Sequence, residues 1–174
     1  MHFEQGATIT RMWAPKGSAP DVKSPAGRKS LTYSGFVFPH DGRLIMTRPS
    51  WFNSDNVIES IREFIDKAHI EEGDDVYLVL DNAPWHKKAI RLIEDENNPE
   101  YEDIRKKIHF LRLPPYSPDL NPIEQVWRIT RREVTHNRYF KSLAELENKL
   151  NSYFDIFSLP NEKFKSLCSF KFSN

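Results

Sequence analysis

Two acidic residues stand where a carboxylate can do chemistry. Asp81 ends the apolar run Val76-Tyr77-Leu78-Val79-Leu80, and Glu124 opens a helical pattern in Asn121-Pro122-Ile123-Glu124. The carboxyl ends of strands are where open α/β sheets bind ligands. Two carboxylates on adjacent elements form an oxygen-rich site for Mg²⁺, and Mn²⁺ suits the same hard donors. Two such cations, roughly 3.5–4 Å apart, clamp the attacking and leaving oxygens of an in-line phosphoryl transfer. Each acid also has a plainer role. Asp81 can cap the next helix through its side chain, with or without a metal. Glu124 suits the first turn of a helix through the dipole and can pair with Arg128, four residues on.

Other residues near the two acids carry paired readings. His86 can touch a scissile phosphate or a metal-bound water, or it can order Asp81 and Asn82. Asn82 can hydrogen-bond a phosphate or hold the turn. Trp85 and Trp127 fit a core better than a DNA-stacking role. Lys87, Lys88, Arg91, Arg128, Arg131, Arg132 and Arg138 can contact phosphates or form a solvated helix face. His109 and His136 lack a partner at metal-ligand spacing. Asp119 fits a turn-stabilising role.

The elements that must position these groups follow from periodicity. Ala7 to Trp13 alternates and reads as a strand, followed by breakers from Ala14 to Gly27. Leu31 to Phe38 and Arg43 to Thr47 read as a hairpin across Pro39-His40-Asp41-Gly42. Val57, Ile58, Ile61, Phe64, Ile65 and Ala68 mark a helix capped by Asn53 or Ser54. Val76 to Leu80 reads as a strand buried on both faces. A helix follows from Pro84 to about Ile93, then a polar loop over Asp95 to Tyr101. Ile108 to Leu113 is a second central strand. Pro114 to Leu120 is barred from helix and sheet interiors by its prolines. Asn121 caps a long helix to Asn137, with Pro122 at its first position and a stripe of Ile123, Val126, Trp127, Thr130 and Val134. A further helix spans about Leu143 to Phe157, and a short one Asn161 to Cys168. Strands alternating with helices after a meander imply a mixed sheet with helices on both faces.

Composition sets the bounds. With 174 residues, 39% of them hydrophobic, the chain can bury a real core. Twenty-five basic and 25 acidic residues cancel, so a nucleic-acid surface must come from local patches. The lone Cys168 excludes an internal disulfide and a cysteine-only zinc site, and suits a reducing cytoplasm. No apolar stretch approaches a membrane span, and the N-terminus lacks a secretory pattern.

Leu80-Asp81-Asn82-Ala83-Pro84-Trp85-His86 and Leu113-Pro114-Pro115-Tyr116-Ser117-Pro118-Asp119-Leu120-Asn121-Pro122-Ile123-Glu124-Gln125-Val126-Trp127 closely resemble the second and third acidic motifs of DDE-type transposases from bacterial insertion sequences related to mariner elements. The second string is long and highly specific. The likeness extends to Trp13-Ala14-Pro15-Lys16-Gly17, the hairpin and the next helix, and covers the chain to about residue 155. It implies an RNase H-like α/β fold over residues 1–158, with residues 159–174 as a C-terminal tail. It implies Asp81 and Glu124 as catalytic, metal-binding acids using Mg²⁺ or Mn²⁺. Asn82, His86, Lys87, Lys88, Arg128, Arg131 and Arg132 become the nucleic-acid-binding candidates. The chemistry it implies is nicking of DNA at element ends and strand transfer to target DNA.

This sequence departs from the family pattern in three ways. The family's first aspartate, on the opening strand, would fall just before Met1, so the first strand is expected to be truncated. Glu4 falls five positions late and on the opposite strand face, a poor substitute. No upstream helix-turn-helix domains fit, and the stretch between Asp81 and Glu124 is longer than usual. The chain is therefore expected to be inactive alone, and to work as a homodimer or with a complementary N-terminal fragment. The competing readings are a non-catalytic transposase remnant or DNA-binding, dimerising regulator, and a host nuclease of the same fold acting on RNA–DNA hybrids. The proline-rich string opposes the last.

Overall fold

A computed structural model describes residues 1–6, 10–11, 13–18 and 29–168. The strand expected over Ala7 to Trp13 lies partly outside them, and the described Thr10, Arg11 and Trp13 are not in a strand. The chain instead opens with β1 (His2–Glu4), antiparallel to β2 (Ser30–Thr32). β3 (Ser34–Val37) pairs antiparallel with β4 (Leu44–Thr47). The single strand expected over Leu31 to Phe38 thus divides at Tyr33 to serve two partners. The hairpin turn relies on Gly42 at φ +76, a conformation only glycine adopts cheaply. A Cβ there would also collide with the backbone of Asn161 and Lys165.

Helix α1 (Ser54–Ala68) is capped by Asn53, whose side chain accepts from the Asn56 N–H at 2.8 Å. β5 (Val76–Leu80) leads into α2 (Pro84–Glu94), and a short α3 (Glu102–Arg105) follows the polar loop. Arg105 explains that unexpected helix. Its guanidinium donates to the carbonyls of Ile93, Asp95 and Asn98, and so ties down the loop. β6 (Ile108–Arg112) runs parallel to β5, with Val76 opposite Ile108 and Leu80 opposite Arg112. The expectation that β5 is buried on both faces is wrong. Tyr77 and Val79 are 59% and 41% exposed, and Leu111 beside them is 48% exposed. Only the alternate side chains, Val76, Leu78, Ile108 and Phe110, pack inward.

The long helix expected over Asn121 to Asn137 is α4 (Pro122–Thr130) extended by a wider π-helical turn over Arg131–Thr135. Thr130 and Thr135 hydroxyls donate to carbonyls four residues back, along the stretch where the helix widens. α5 (Leu143–Asp155) begins at a Ser142 cap, and α6 (Glu162–Cys168) closes the described chain.

Two hydrophobic masses flank the β3–β4 hairpin. On one side Phe36 and Ile45 join Ile58, Ile61 and Phe64 of α1, Ile93 of α2 and Ile108 of β6. On the other, Leu44 joins Phe3, Tyr33, Trp127, Leu150 and Phe154. Strand alternation sends neighbouring residues of one hairpin into different cores. Gly35 sets the spacing of the second layer. A Cβ at Gly35 would sit 2.7 Å from the Trp127 ring and 3.1 Å from Ile123, so its absence lets α4 lie close on β3. α6 joins this mass through Phe164, fully buried and stacked on Phe157 at 3.8 Å between ring centres.

Glu133 clamps that second mass at its surface. Its carboxylate accepts from Lys163 Nζ at 2.8 and 2.9 Å and from the Tyr153 hydroxyl at 3.0 Å. The Lys163 bond is the main reason its carboxyl sits below the ordinary glutamate range, with burial opposing. A carboxyl depressed in the folded state stabilises it above the unfolded pKa, and loses that effect as pH falls through the folded one. Glu133→Gln should therefore be less stable than the parent near neutrality, by about 0.2–1 kcal/mol for so solvated a pair. The gap should close in acid, below the usual glutamate range. Urea midpoints for both proteins across that range test this, and a gap independent of pH would refute it.

Candidate active site

Asp81 follows the last residue of β5, on the sheet edge where the chain turns into α2. Its Oδ1 accepts the Ala83 N–H at 3.0 Å and lies 2.5 Å from His86 Nδ1. α2 starts at Pro84 with no side-chain cap of its own, so this Asp–His contact spans its first turn. Asn82 donates through Nδ2 to the Leu113 carbonyl at 2.5 Å, and the Leu113 N–H donates to the Leu80 carbonyl at 3.0 Å. These bonds fix the end of β5 to the proline-rich loop after β6. His86 is thus held by Asp81 beside it, and Asn82 by the Leu113 carbonyl 31 residues away.

Glu124 lies in the first turn of α4, on the opposite wall. The loop before it is shaped by its prolines and by a single 3₁₀ turn over Pro118–Leu120. Tyr116 is left-handed at φ 58 and fully exposed, a position that costs a non-glycine residue energy. The expected cap at Asn121 is absent: its side chain makes no capping bond and is buried at the cleft wall instead. Asp81, Asn82, Leu113, Tyr116, Asn121 and Glu124 all line one cleft of about 160 Å³. The two acids expected to converge are therefore brought together.

Their charges feel one another. Burial pushes the Glu124 carboxyl above its ordinary range, the Arg131 guanidinium opposes this, and the Asp81 charge adds to it. Asp81 is held low, first by His86. The leading end of β1 enters the same field. Burial drives the Met1 amino group down to about 5, against the pull of Glu124 and Asp81. Strand β5, helix α4 and the head of β1 thus meet at one place. The acid–base pairing differs from expectation: Arg128 turns to the side-chain oxygen of Gln125, and Arg131 is the guanidinium felt by Glu124.

A family model for DDE superfamily endonucleases matches residues 1–147. The chain belongs to this family. An uncharacterized protein, y4pE/y4sA of Sinorhizobium fredii (strain NBRC 101917 / NGR234), is 32% identical over 77 residues, 44% of this chain and 49% of that protein. Three solved structures share the fold. The Mos1 transposase paired-end complex with left transposon end aligns at a TM-score of 0.63 and 14% identity. The Mos1 mariner paired-end complex with Mn gives 0.62 and 16%, and the Mos1 strand transfer complex 0.61 and 15%. Each match covers 95% of this chain and 47% or 48% of the other. The expected RNase H-like fold is the one observed, and the chain spans about half the length of the relatives it matches.

Within this DDE superfamily domain the remaining residues sort by position. Lys87 and Lys88 are exposed on the first turns of α2, and Arg128, Arg131 and Arg132 on α4 and its extension. Arg131 reaches the Met1 sulfur at 2.9 Å, and Arg132 lies 3.7 Å from Glu133. Glu4 is exposed, pairs with Ser30 across the strand and is not among the cleft residues. His109 contacts Asp75 at 3.1 Å, far along the strand from Asp81. Trp127 is a core residue, 6% exposed, but Trp85 is 38% exposed. Sequence reasoning missed Asn121 and Tyr116 as cleft residues. Their only signal was the proline density around them, which forces the loop outward.

Proposed function

We propose that this chain is the catalytic core of a DDE-type transposase, in which Asp81 and Glu124 are two of the carboxylates that hold divalent cations for phosphoryl transfer on DNA. The supporting observation is that both line one cleft although they come from separate layers of the fold. The donor set fits Mg²⁺ or Mn²⁺. Mg²⁺ is commonly held by one or two carboxylates with water completing the shell. A Glu124 carboxyl raised by burial and by Asp81 is one whose charge a cation would relieve. Among the described residues no group of three His, Cys, Asp or Glu side chains is gathered to hold a metal, so binding by these two acids should be weak.

A bound cation would supply Lewis-acid activation of the attacking oxygen and neutralise charge on the phosphoryl group. The protein does the rest. His86 and the Ala83 N–H hold one Asp81 oxygen and leave the other for a ligand. Asn82 keeps the proline-rich wall at a fixed distance through Leu113. Lys87, Lys88, Arg128, Arg131 and Arg132, exposed on α2 and on α4 with its extension, would serve as phosphate contacts, neutral overall charge notwithstanding. Element ends and target DNA are the substrates in this reading, with a second copy or an N-terminal fragment as protein partner, in the cytoplasm. Among the described residues no helix is long and apolar enough to cross a membrane.

The test is plasmid nicking with Mn²⁺ by three proteins. They are the 174-residue chain, the same chain given a β1 extension that places an aspartate at the cleft, and the extended chain carrying Glu124→Gln. Little or no cleavage is expected from the first, clear cleavage from the second, and its loss in the third. An extended chain that stays inert would sink the reading.

A further inference from the structure

We propose that an aromatic strip beside Asp81 is a stacking platform for an unpaired nucleobase of DNA. This rests on the DNA reading above and adds a subsite that the two acids do not form. Five rings from three chain segments follow one another. Trp51 lies 5.4 Å from His2, and His2 lies 5.2 Å from Phe52. Phe52 stacks on Trp85 at 5.9 Å and 15°, and Trp85 meets the edge of His86 at 6.2 Å. The strip ends at the imidazole that touches Asp81 at 2.5 Å. It therefore runs from solvent to the cleft without a break.

Its two tryptophans are open. Trp51 is 63% exposed and Trp85 38%, whereas Trp127 on α4 is 6% exposed and packed among Phe3 and Phe154. The exposed rings do not belong to a loose loop. The Trp51 carbonyl accepts from Asn56 Nδ2 at 2.8 Å, the same amide reaches Ser50 Oγ at 3.3 Å, and the Asn53 cap roots the segment in α1. A large aromatic carried on an anchored backbone and open to water loses the benefit of burial, so its placement calls for an occupant.

The chemistry around the strip selects that occupant. Lys87 and Lys88 follow Trp85 and His86 directly, and neither has an ion-pair partner among the described residues. Exposed aromatic rings, with the Lys88 ammonium one helical turn on from Trp85, suit a planar group attached to an anion. A nucleobase on its phosphate is such a group, and an apolar peptide side chain is not. Inside a duplex each base already stacks on its neighbours, so only a splayed or single-stranded base can use the rings. The platform would hold such a base next to the phosphate offered to Asp81.

The test compares two short duplexes of equal length, one blunt and one with a single-stranded end carrying 2-aminopurine, titrated with the full chain. The strip should make the overhang bind about tenfold tighter, as one added base stack allows, and should quench the 2-aminopurine. Trp51→Ala and Trp85→Ala should abolish both effects and leave blunt-duplex affinity unchanged, while Trp51→Phe keeps most of them. Trp51→Ala carries the test if Trp85→Ala misfolds, because the Trp51 ring lies mostly in solvent. Equal affinity for the two probes, or a preference that survives both alanine variants, overturns the platform and leaves the DNA reading standing. Failure to bind either probe overturns both. A dimer in sedimentation that Trp51→Ala dissolves would assign the strip to a second copy and also overturn the platform.

Discussion

Glu124→Gln and Asp81→Asn should each weaken Mn²⁺ binding by roughly a hundredfold or more, since even losing an outer-shell partner of a ligand costs about 10–100-fold. The two should differ in what else they disturb. Glu124 accepts no hydrogen bond from a neighbouring side chain among the described residues, and its charge is partly buried near another acid. Its neutral amide should leave the fold as stable as before or slightly more so. Asp81 anchors His86 and the Ala83 N–H, so its amide should loosen the first turn of α2. Calorimetric titration with Mn²⁺, paired with thermal unfolding in the absence of metal, separates the effects. Unchanged affinity in both variants would remove the cation from the cleft altogether.

The pH dependence of binding follows with its sign. Metal ligation requires the carboxylate form. Glu124 takes up its proton at a higher pH than an ordinary glutamate, because burial, with a smaller push from Asp81, outweighs the opposing Arg131 charge. Affinity for Mn²⁺ should begin to fall, on acidification, above the usual carboxylate range.

Trp127→Ala should cost about 3–5 kcal/mol, the range for deleting a large buried aromatic. That is a large part of the roughly 5–15 kcal/mol that holds a domain of this kind together. The ring fills the space left by Gly35, and it meets Phe3 and Phe154 edge-on at 6.1 and 6.5 Å. Urea unfolding followed by circular dichroism measures the loss. Trp127→Phe should recover much of it, since the edge contacts survive in part. Because Trp127 is one turn from Glu124 on the same helix, the alanine variant should also bind Mn²⁺ poorly under conditions where it remains folded. Full stability in Trp127→Ala would mean that α4 is not seated through this ring.

Much of the site was legible in the sequence because its geometry is written locally. Asp81 ends an apolar run, and a strand must stop where the apolar residues stop. Pro114, Pro115 and Pro118 forbid helix and ladder, and Pro122 permits a helix to begin, so the wall bearing Glu124 had one natural start. What escaped the reading depends on contacts between distant segments. Nothing near Tyr33 marks it as the place where one strand changes partner; that break is set by β1 and β4. The short α3 depends on Arg105 reaching three carbonyls across a loop. The apolar run at β5 looked covered on both faces because its composition is uniformly hydrophobic, yet Tyr77 and Val79 stand in solvent. Trp51 and Phe52 were unreadable for a similar cause, since an aromatic pair before a helix cap has the same letters whether it packs inward or not.

The two acids are rooted in different oily bodies. Asp81 leaves a strand whose inward side chains belong to the mass around α1, while Glu124 rides a helix seated in the mass around α5. Only the thickness of the β3–β4 ribbon separates these bodies. The gap across which any ion must be shared is therefore gauged by uncharged residues such as Gly35, Phe36 and Leu44. A methyl group added or removed in that ribbon acts as a shim between two plates, altering the reach from one carboxylate to the other without touching either.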